Sequence, residues 1–273
     1  MGKFDGVLIC TDLDGTLYGT DKTISKENKE AIDYFKREGG FFTFITGRMP
    51  YYSMSAFDAV APNVAFGCIN GGGLYDGTKK EYIWTTELSR DARELVKYID
   101  SAVPTVGIQL CGLERVCNAK QNSATSHYRR VTGHSGITCH YSDFNDPLGK
   151  IIFCSDIEDE IIAVKEALKT HPFYDKFDYI RTERILFEML PKGVNKGLAL
   201  KTLAEHLNID MSHTIAIGDY DNDVAMLLEA GVGVAVANSS QPARDAADYI
   251  TVSNDESAIA AVIFDLEAGK YGI

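Results

Sequence analysis

The stretch TDLDGTL, residues 11–17, decides the fold that we predict for this chain. It follows the apolar run VLIC, residues 7–10, whose length and flanking turn formers are typical of a buried strand. In an open α/β sheet, ligands bind outside the carboxyl ends of the strands, so Asp12 and Asp14 are expected at a binding crevice. Gly15 permits the sharp turn that presents both acids to one small ligand. Two carboxylates at one crevice favour a bound cation.

A strand, a helix and a second strand follow one another at the start of the chain. Ser25 can cap a helix that runs to about residue 38, and the aromatic run at 41–45 predicts the next strand. Such a βαβ unit has a right-handed crossover, which places both strand ends on the same edge of the sheet. Thr46 is therefore a predicted neighbour of Asp12.

The same alternation resumes near the C-terminal end, after a segment of different character. We predict an α/β protein with a doubly wound, Rossmann-like parallel-sheet core, formed by residues 1–78 and 187–273. Residues 79–186 are predicted to form an inserted α/β domain. Its predicted helices lie at 89–102, 123–131 and 157–169, and its predicted strands at 106–111, 137–140, 151–154 and 177–188.

The charge of the chain limits the classes of partner. Its 273 residues include 27 Lys and Arg against 39 Asp and Glu, for a formal net charge of −12, which argues against nucleic acid or an anionic membrane. No apolar run reaches the ~18 residues that span a bilayer, and the first residues lack the apolar segment of a signal peptide. We therefore expect a cytoplasmic protein. The six cysteines include no Cys-x-x-Cys pair, which favours buried, reduced thiols over a disulfide or a metal site.

A second acidic cluster, GDYDND, occupies residues 218–223, after another apolar run. If both runs are strands of one sheet, Asp219 and Asp223 converge with Asp12 and Asp14 on the same edge. Four carboxylates in one cleft repel one another unless a cation lies among them.

The ligand type favours one cation over its main alternative. An all-oxygen set with few protein contributors suits Mg²⁺, which keeps waters and accepts phosphate oxygens. A calcium loop counted from Asp219 requires Gly at its sixth and Glu at its twelfth position, where this chain has Val224 and Ala230. The sequence therefore predicts magnesium.

The neighbouring residues are those of a phosphate pocket. Thr46 supplies a hydroxyl, glycine loops and a helix start after Asn222 supply N–H groups, and Lys196 begins a predicted helix at the same edge. Phosphoryl transfer depends on positioning and charge neutralisation, and a carboxylate can be the nucleophile. Asp12 is our candidate nucleophile and Asp14 the general acid and base, its pKa raised from ~3.9 by nearby negative charge. Spacing alone does not decide which Asp has which role.

The sequence resembles phosphatases of the haloacid dehalogenase (HAD) superfamily, of the Cof-like subfamily with a C2B (type IIB) cap. Four motifs match in order: DLDGT at 12–16, TGR at 46–48, Lys196, and GDYDND at 218–223. The resemblance implies a HAD-type phosphatase with Mg²⁺ as cofactor, and a C2B cap formed by the insert. It does not extend to the side chains of the cap.

The resemblance also implies roles in catalysis. In such enzymes the first Asp of DLDGT becomes an aspartyl-phosphate and the second is the acid and base, so these roles fall on Asp12 and Asp14. The Thr of TGR binds phosphate and the Lys neutralises charge, which are the roles implied for Thr46 and Lys196.

Further residues are implied in metal and phosphate binding. Mg²⁺ would be bound by Asp12, the carbonyl oxygen of Asp14 and Asp219, with Asp223 supporting the metal. Asn222 would help to bind the phosphate. Three other residues are candidates for phosphate or substrate binding, namely Gly47, Arg48 and Asn70. Arg48 could equally pair with a core acid.

We therefore expect a Mg²⁺-dependent phosphomonoester hydrolase of small cytosolic phosphometabolites, either sugar phosphates or phosphorylated cofactors. A phosphomutase of a sugar phosphate and a non-catalytic phosphometabolite-binding protein are the alternatives. The insert is expected to close over the core as a lid, with hinges near Gly77 and Leu186. The sequence does not determine the native substrate or the oligomeric state.

Two groups of basic residues in the insert lie outside these motifs. His127, Arg129, Arg130 and His134 form a basic island that could meet an anionic substrate, although a solvated helix face is the simpler interpretation. Arg181 and Arg184 border the return to the core and could face a cleft or act at a hinge.

Overall fold

A computed structural model describes residues 2–132 and 136–273; His134 of the predicted basic island lies outside them. The strands are β1 (Leu8–Thr11), β2 (Phe41–Phe44), β3 (Phe66–Cys68), β4 (Gly73–Asp76), β5 (Glu81–Thr85), β6 (Gly107–Gly112), β7 (Val116–Lys120), β8 (Leu148–Cys154), β9 (Phe177–Glu183), β10 (Leu186–Pro191), β11 (Thr214–Gly218), β12 (Val232–Ala235) and β13 (Tyr249–Ile250). The helices are α1 (Lys26–Arg37), α2 (Met54–Val60), α3 (Ala92–Ala102), α4 (Ser123–Thr132), α5 (Glu158–Lys169), α6 (Lys196–Leu207), α7 (Val224–Glu229), α8 (Gln241–Ala246) and α9 (Ala258–Glu267).

The first of two compact units consists of Met1–Trp84 and Asn195–Ile273. Its central sheet has the strand order β13-β12-β11-β1-β2, and every pair is parallel. A smaller antiparallel sheet, β3-β4-β5, joins this unit through a bridge between Ile45 and Gly67. The predicted doubly wound α/β core is thus confirmed.

The register of the central sheet positions the end of β1. Thr11 lies opposite Ile217 of β11 on one side and Phe44 of β2 on the other. The carboxyl ends of these three strands therefore lie at one edge, as the βαβ pattern predicted.

Both faces of this sheet are buried. Leu8 and Cys10 of β1 pack on one face with Leu200 and Leu203 of α6, whereas Ile9 points to the opposite face and is equally buried. Burial on both faces explains why β1 is a continuous apolar run instead of an alternating one.

Side chains cap the starts of two helices, and one of these caps, Ser25, was predicted. Ser25 accepts a hydrogen bond from the backbone N–H of Asn28 at 3.1 Å and so begins α1. Asn195 caps α6 in the same way, through the N–H of Leu198 at 3.0 Å. The second cap fixes Lys196 as the first residue of its helix.

The second unit, Thr85–Val194, contains an antiparallel sheet of strand order β7-β6-β8-β10-β9. One face of this sheet is apolar and packs against α3 and α5, with Phe153 and Leu95 among the buried contacts. The other face carries polar side chains in the central strands, namely Gln109, Lys150 and Glu188, none of them more than 3% exposed.

The second unit differs from the predicted insert, 79–186, at both ends. β5 is hydrogen-bonded into the small sheet of the first unit, so that unit continues to Trp84. β10 lies between β8 and β9 in the sheet of the second unit, which therefore extends to Val194. Strand pairing, which the composition did not reveal, sets both boundaries.

Two predicted strands of the insert were wrong in detail. The segment predicted as one strand at 177–188 forms the hairpin of β9 and β10, with an irregularity between Leu186 and Phe187. The segment at 137–140 is not a strand, since Ile137 makes a single bridge, to Cys117. β7, which was not predicted, provides that partner.

The cysteine prediction was wrong for one pair. Cys117 and Cys139 are joined as a disulfide, because the bridge between Ile137 and β7 brings their Cα atoms to 6.1 Å. The other four cysteines are buried thiols, as predicted.

In the part of the chain that the structure describes, no helix combines the length and the apolar character needed to cross a bilayer.

Candidate active site

Asp12 is the first residue after β1. Its backbone N–H donates to the carbonyl oxygen of Ile217 at 2.8 Å, which holds it against the end of β11. Gly15 follows with a φ of 81°, and a Cβ at that position would stand 2.5 Å from Oδ2 of Asp219. Glycine is therefore required both by the left-handed turn and by the close approach of the second acidic motif.

Three carboxylates meet at this edge of the sheet. Asp12, Asp219 and Asp223 each offer an oxygen, and these oxygens lie within 4.8 Å of one another. Thr16 donates its hydroxyl to Oδ1 of Asp219 at 2.7 Å. Oδ2 of Asp223 accepts the backbone N–H groups of Asp219 and Tyr220 at 2.9 and 3.0 Å. Two acidic motifs from opposite ends of the sequence thus form one cluster.

Lys196 is the cation of this cluster. Its ammonium lies 2.6 Å from Oδ1 of Asp12 and 2.6 Å from Oδ1 of Asp223, and its side chain is 1% exposed. Gly71 packs so closely below the start of α6 that a Cβ there would overlap the carbonyl group of Asn195. That close approach and the helix cap together fix the direction of the lysine.

Three carboxylates and one ammonium leave an excess of negative charge. Burial raises the pKa of Asp12 well above its ordinary value, and Asp223 and Asp219 act in the same direction against the opposing charge of Lys196. Burial and then the charge of Asp223 raise the pKa of Asp219 to about 6, despite the hydrogen bond from Thr16. Burial disfavours the ammonium of Lys196, but the carboxylates outweigh it and keep its pKa above the usual value. The cluster therefore has the charge that a divalent cation would neutralise.

The donor atoms also suit such a cation. Among the described residues that could hold a metal, this group offers only carboxylate oxygens, with no imidazole or thiolate. Hard cations such as Mg²⁺ prefer oxygen ligands, and Mg²⁺ keeps coordination places for water and phosphate. The residues present therefore fit the predicted cofactor.

The fourth predicted carboxylate, that of Asp14, lies outside the cluster. Arg48 donates to both of its oxygens, at 3.0 Å from Nε and 2.8 Å from Nη2, and Lys22 donates to Oδ1 at 3.2 Å. Burial acts to raise the pKa of Asp14, but Arg48 and then Lys22 outweigh it and lower the pKa below its ordinary value. The predicted rise in this pKa was therefore wrong, because the nearest charges are cations. The carbonyl oxygen of Asp14, which the resemblance assigns to the metal, stays a prediction.

The predicted phosphate-binding residues form a chain of contacts. The carbonyl oxygen of buried Thr46 accepts the N–H of Asn70 at 3.1 Å, and Oδ1 of Asn70 accepts the side-chain amide of Asn222 at 3.3 Å. A Cβ on Gly47 would stand 2.7 Å from that same oxygen, so a larger residue would displace Asn70. Asn70 has a φ of 52°, a left-handed conformation that asparagine tolerates better than most residues. Since Asn222 immediately precedes Asp223, the chain of contacts ends beside the carboxylates.

Two residues of this site were not among the predicted ones. Thr16 is the last residue of the DLDGT motif, and its place in that motif could have predicted it as a site residue. Lys22 had no such signal, because its position depends on a turn in which its N–H donates to Gly19 at 2.9 Å and its own φ is 62°.

Comparisons with known proteins give the relatives of this chain. Residues 9–263 match the model of the haloacid dehalogenase-like hydrolase family. The chain is 29% identical over 265 residues to the 5-amino-6-(5-phospho-D-ribitylamino)uracil phosphatase YbjI of Escherichia coli, with 94% of each chain covered. It resembles the structure of a haloacid dehalogenase-like hydrolase from Bacteroides thetaiotaomicron, with a TM-score of 0.84, 25% identity, and 95% of this chain and 99% of that chain covered.

A further solved structure supports the fold. It is a sugar phosphatase of HAD subclass IIB, with a TM-score of 0.82, 20% identity, and 95% of this chain and 98% of that chain covered.

Proposed function

The chain belongs to the haloacid dehalogenase-like hydrolases and is a Cof-like phosphatase, and from this premise we propose that it is a Mg²⁺-dependent phosphomonoester hydrolase. The observation that carries the proposal is the unbalanced cluster of Asp12, Asp219 and Asp223 around Lys196. Such a cluster suits phosphoryl transfer, in which the negative charge on the transferred phosphoryl group must be positioned and neutralised.

We assign the nucleophile to Asp12. Attack by one of its oxygens would form an Asp–O–P bond as the bond from phosphorus to the leaving oxygen breaks. Water would then attack the phosphorus, release inorganic phosphate and restore the carboxylate. Lys196, at 2.6 Å from Asp12, is placed to stabilise the charge around this centre.

Asp14 is the proposed general acid and base. Its side chain is 41% exposed and lies outside the carboxylate cluster, whereas Asp12 is buried within it. Arg48 and Lys22 keep it ionised before substrate binds, which suits the removal of a proton from water. An anionic substrate that draws Arg48 and Lys22 to itself would raise the pKa of Asp14, which could then accept a proton from solvent and donate it to the leaving oxygen. The same carboxylate would remove a proton from the attacking water in the second step.

The remaining residues are proposed to hold the cofactor and the phosphoryl group. Mg²⁺, when bound, neutralises charge on the transferring group and aligns it with the nucleophile. Its proposed ligands, besides the nucleophile, are the carbonyl oxygen of Asp14 and the carboxylate of Asp219, with Asp223 in support. The proposed phosphate-binding groups are Thr46, Gly47, Asn70 and Asn222.

The proposed substrates are small phosphometabolites of the cytoplasm. The name of the Escherichia coli relative specifies a phosphorylated ribityl compound, which supports sugar phosphates and phosphorylated cofactors or their precursors as the class. We further propose that the second unit is the cap of this phosphatase and works as its lid.

The direct test measures phosphate release from 4-nitrophenyl phosphate with Mg²⁺ and with a chelator. The wild type should need the metal, and Asp12→Asn should lose roughly 10⁴-fold or more of the turnover, because the amide removes the carboxylate on which the acyl phosphate is proposed to form. The matched control is Asp58→Asn, an exposed aspartate of α2 outside the cluster. Acid quenching during turnover should trap phosphate on the wild-type protein.

Three results would contradict the proposal. Wild-type turnover of the Asp12→Asn protein would show that Asp12 is not the nucleophile. Full activity in the presence of chelator would show that the reaction does not need a metal. Conversion of a sugar phosphate to its isomer without free phosphate would show a mutase instead of a hydrolase.

A further inference from the structure

The second unit has a cleft that the proposed hydrolysis does not use. It lies between α4, the segment that follows β8, and the end of β9 with the turn that leads to β10, and its volume is about 530 Å³. That volume falls within the range of roughly 300–1,000 Å³ found for small-molecule sites. Charged and polar side chains dominate its lining, including Ser123, His127, Arg130, Asp156, Glu183 and Arg184.

Two arginines reach this cleft from segments distant in sequence. Arg130 belongs to α4 and Arg184 to the β9–β10 turn. Within residues 2–132 and 136–273, neither guanidinium makes a hydrogen bond or an ion pair. Their neighbours in sequence are engaged, since Arg129 donates to a glutamine side chain at 2.9 Å and Arg181 pairs with Glu158 at 2.6 Å. The cleft therefore holds the two arginines of these basic groups that make no such contact within the described residues.

The acidic side chains of the cleft already have contacts. Oδ2 of Asp156 accepts the hydroxyl of Ser123 at 2.9 Å, and Glu183 also has an interaction of its own. Ser123 is the first residue of α4, so the positive end of that helix dipole borders the cleft. His127 adds a ring that can donate a further hydrogen bond.

We propose that this cleft binds an oxyanion of a small ligand, a phosphate or a carboxylate, through Arg130 and Arg184. The guanidinium group matches both oxyanions in geometry, because its parallel N–H groups can donate to two oxygens. The charge of Arg184 also acts on Glu158, but neither arginine forms an ion pair within the described residues. In a chain with a net charge of −12, the two guanidinium groups provide the local attraction that an anion needs. The anion is either a free ion or a second charged group of a substrate. The cleft lies wholly within the second unit, so binding of a free anion there does not depend on the proposed hydrolysis, whereas binding of a substrate's second anion rests on it.

The test uses the full chain with ¹⁵N-labelled arginine and follows the side-chain N–H signals by NMR during titration with inorganic phosphate. EDTA is present throughout, so that metal-dependent binding at the carboxylate cluster does not contribute. The signals of Arg130 and Arg184 should shift and saturate. The double variant R130Q/R184Q should bind phosphate at least tenfold more weakly, whereas R90Q, which changes an exposed arginine of the same unit outside the cleft, should bind as the wild type does.

The absence of a saturable shift at these two arginines would overturn the proposal. Equal phosphate affinity of the wild type and a folded R130Q/R184Q protein would do the same, and retained dispersion of the other signals would show that the variant is folded.

A kinetic arm separates the two sources of the anion. With Mg²⁺ present, the KM for 2-phosphoglycolate, which carries a carboxylate beside its phosphate, is compared with the KM for 4-nitrophenyl phosphate. A tenfold rise in KM for the first substrate alone in R130Q/R184Q assigns the cleft to the substrate's second anion. Unchanged KM values, together with saturable phosphate binding, assign it to a free anion. A protein without any hydrolase activity would contradict the proposed function and leave the binding result intact.

Discussion

Each unit of the molecule buries a lysine against carboxylate, but the two arrangements differ in charge. In the second unit Lys150 lies 2.8 Å from Glu188, and the other oxygen of Glu188 accepts the hydroxyl of Thr182 at 2.9 Å. In the first unit Lys196 lies between two carboxylates and a third belongs to the same cluster. The pair is neutral and the cluster is not.

This difference separates a structural arrangement from a chemical one. A buried ion pair loses the hydration of both charges, and apolar residues of similar size often replace it without loss of stability. An unbalanced cluster has no such replacement, because its excess charge must be met by protons or by a cation. The imbalance, more than the burial, therefore marks the functional lysine.

The largest effect is expected from Lys196→Met. Loss of the ammonium leaves the three carboxylates without their cation, so turnover of 4-nitrophenyl phosphate with Mg²⁺ should fall by roughly 10³-fold, the size of effect seen when a preorganised charge stabiliser is removed. Steady-state kinetics measures this fall. Lys201→Met, an exposed lysine of the same helix, is the control and should keep its turnover. A near-normal kcat of the Lys196→Met protein would show that the lysine of the unbalanced cluster is no more functional than that of the neutral pair.

Lys150→Met tests the other side of the comparison. It leaves the carboxylate of Glu188 buried without the charge of Lys150 and should lower the free energy of unfolding by roughly 3 kcal/mol, measured by urea denaturation. Turnover per folded molecule should stay within twofold of the wild type. The double variant Lys150→Met/Glu188→Leu should regain most of the lost stability, because both charges are then absent. Failure of the double variant to recover would mean that the pair contributes more than its mutual neutralisation.

Arg48→Gln tests whether the ion pairs of Asp14 position it for proton transfer. Turnover of an alkyl phosphate, whose leaving oxygen needs a proton, should fall roughly tenfold, a part of the 10²–10⁴ that general acid catalysis contributes. Turnover of 4-nitrophenyl phosphate should fall less, since its leaving group is stable as an anion. Lys22→Met should show the same pattern more weakly, and Arg37→Gln, an exposed arginine of α1, should show none. Equal losses on both substrates would place Arg48 in phosphate binding instead.

The smallest effect is a pH dependence of the metal-free protein. Folding raises the pKa of Asp219 from 3.8 to about 6, so the folded state binds this proton more tightly than the unfolded state does. The contribution to stability is complete below about pH 4 and is lost as the pH rises through 6. Thermal unfolding in EDTA should show this fall, and Asp219→Asn should reduce it. Stability that rises over the same window in EDTA would contradict the assignment.

The parts of this comparison that the sequence predicted are those with a local signal. The apolar pattern of Leu198, Leu203 and Leu207 predicted α6, which begins at Lys196. The meeting of Asp12 with Asp219 followed from the rule that parallel strands end at one edge. The doubly wound α/β class followed from the alternation of helices and strands.

The parts that it did not predict depend on contacts between segments. Nothing local indicates that Asp14 turns to Arg48 and Lys22, since that choice depends on the path of the loop before α1. The neutral pair of Lys150 and Glu188 depends on the alignment of β8 with β10, and its residues are ordinary strand residues in sequence.

The same limit explains the other differences. The hairpin that extends the second unit past residue 186 and the Cys117–Cys139 disulfide both arise from pairings between strands and loops that have no short-range signature.

The most direct test of the unbalanced cluster is the stoichiometry of metal binding. Calorimetric titration of the wild type with Mg²⁺ near neutral pH should show one ion per chain. Asp219→Asn should abolish that binding, while Lys150→Met, in the neutral pair, should leave it unchanged. Binding of Mg²⁺ by Asp219→Asn with wild-type affinity, or no binding by the wild type, would contradict the account.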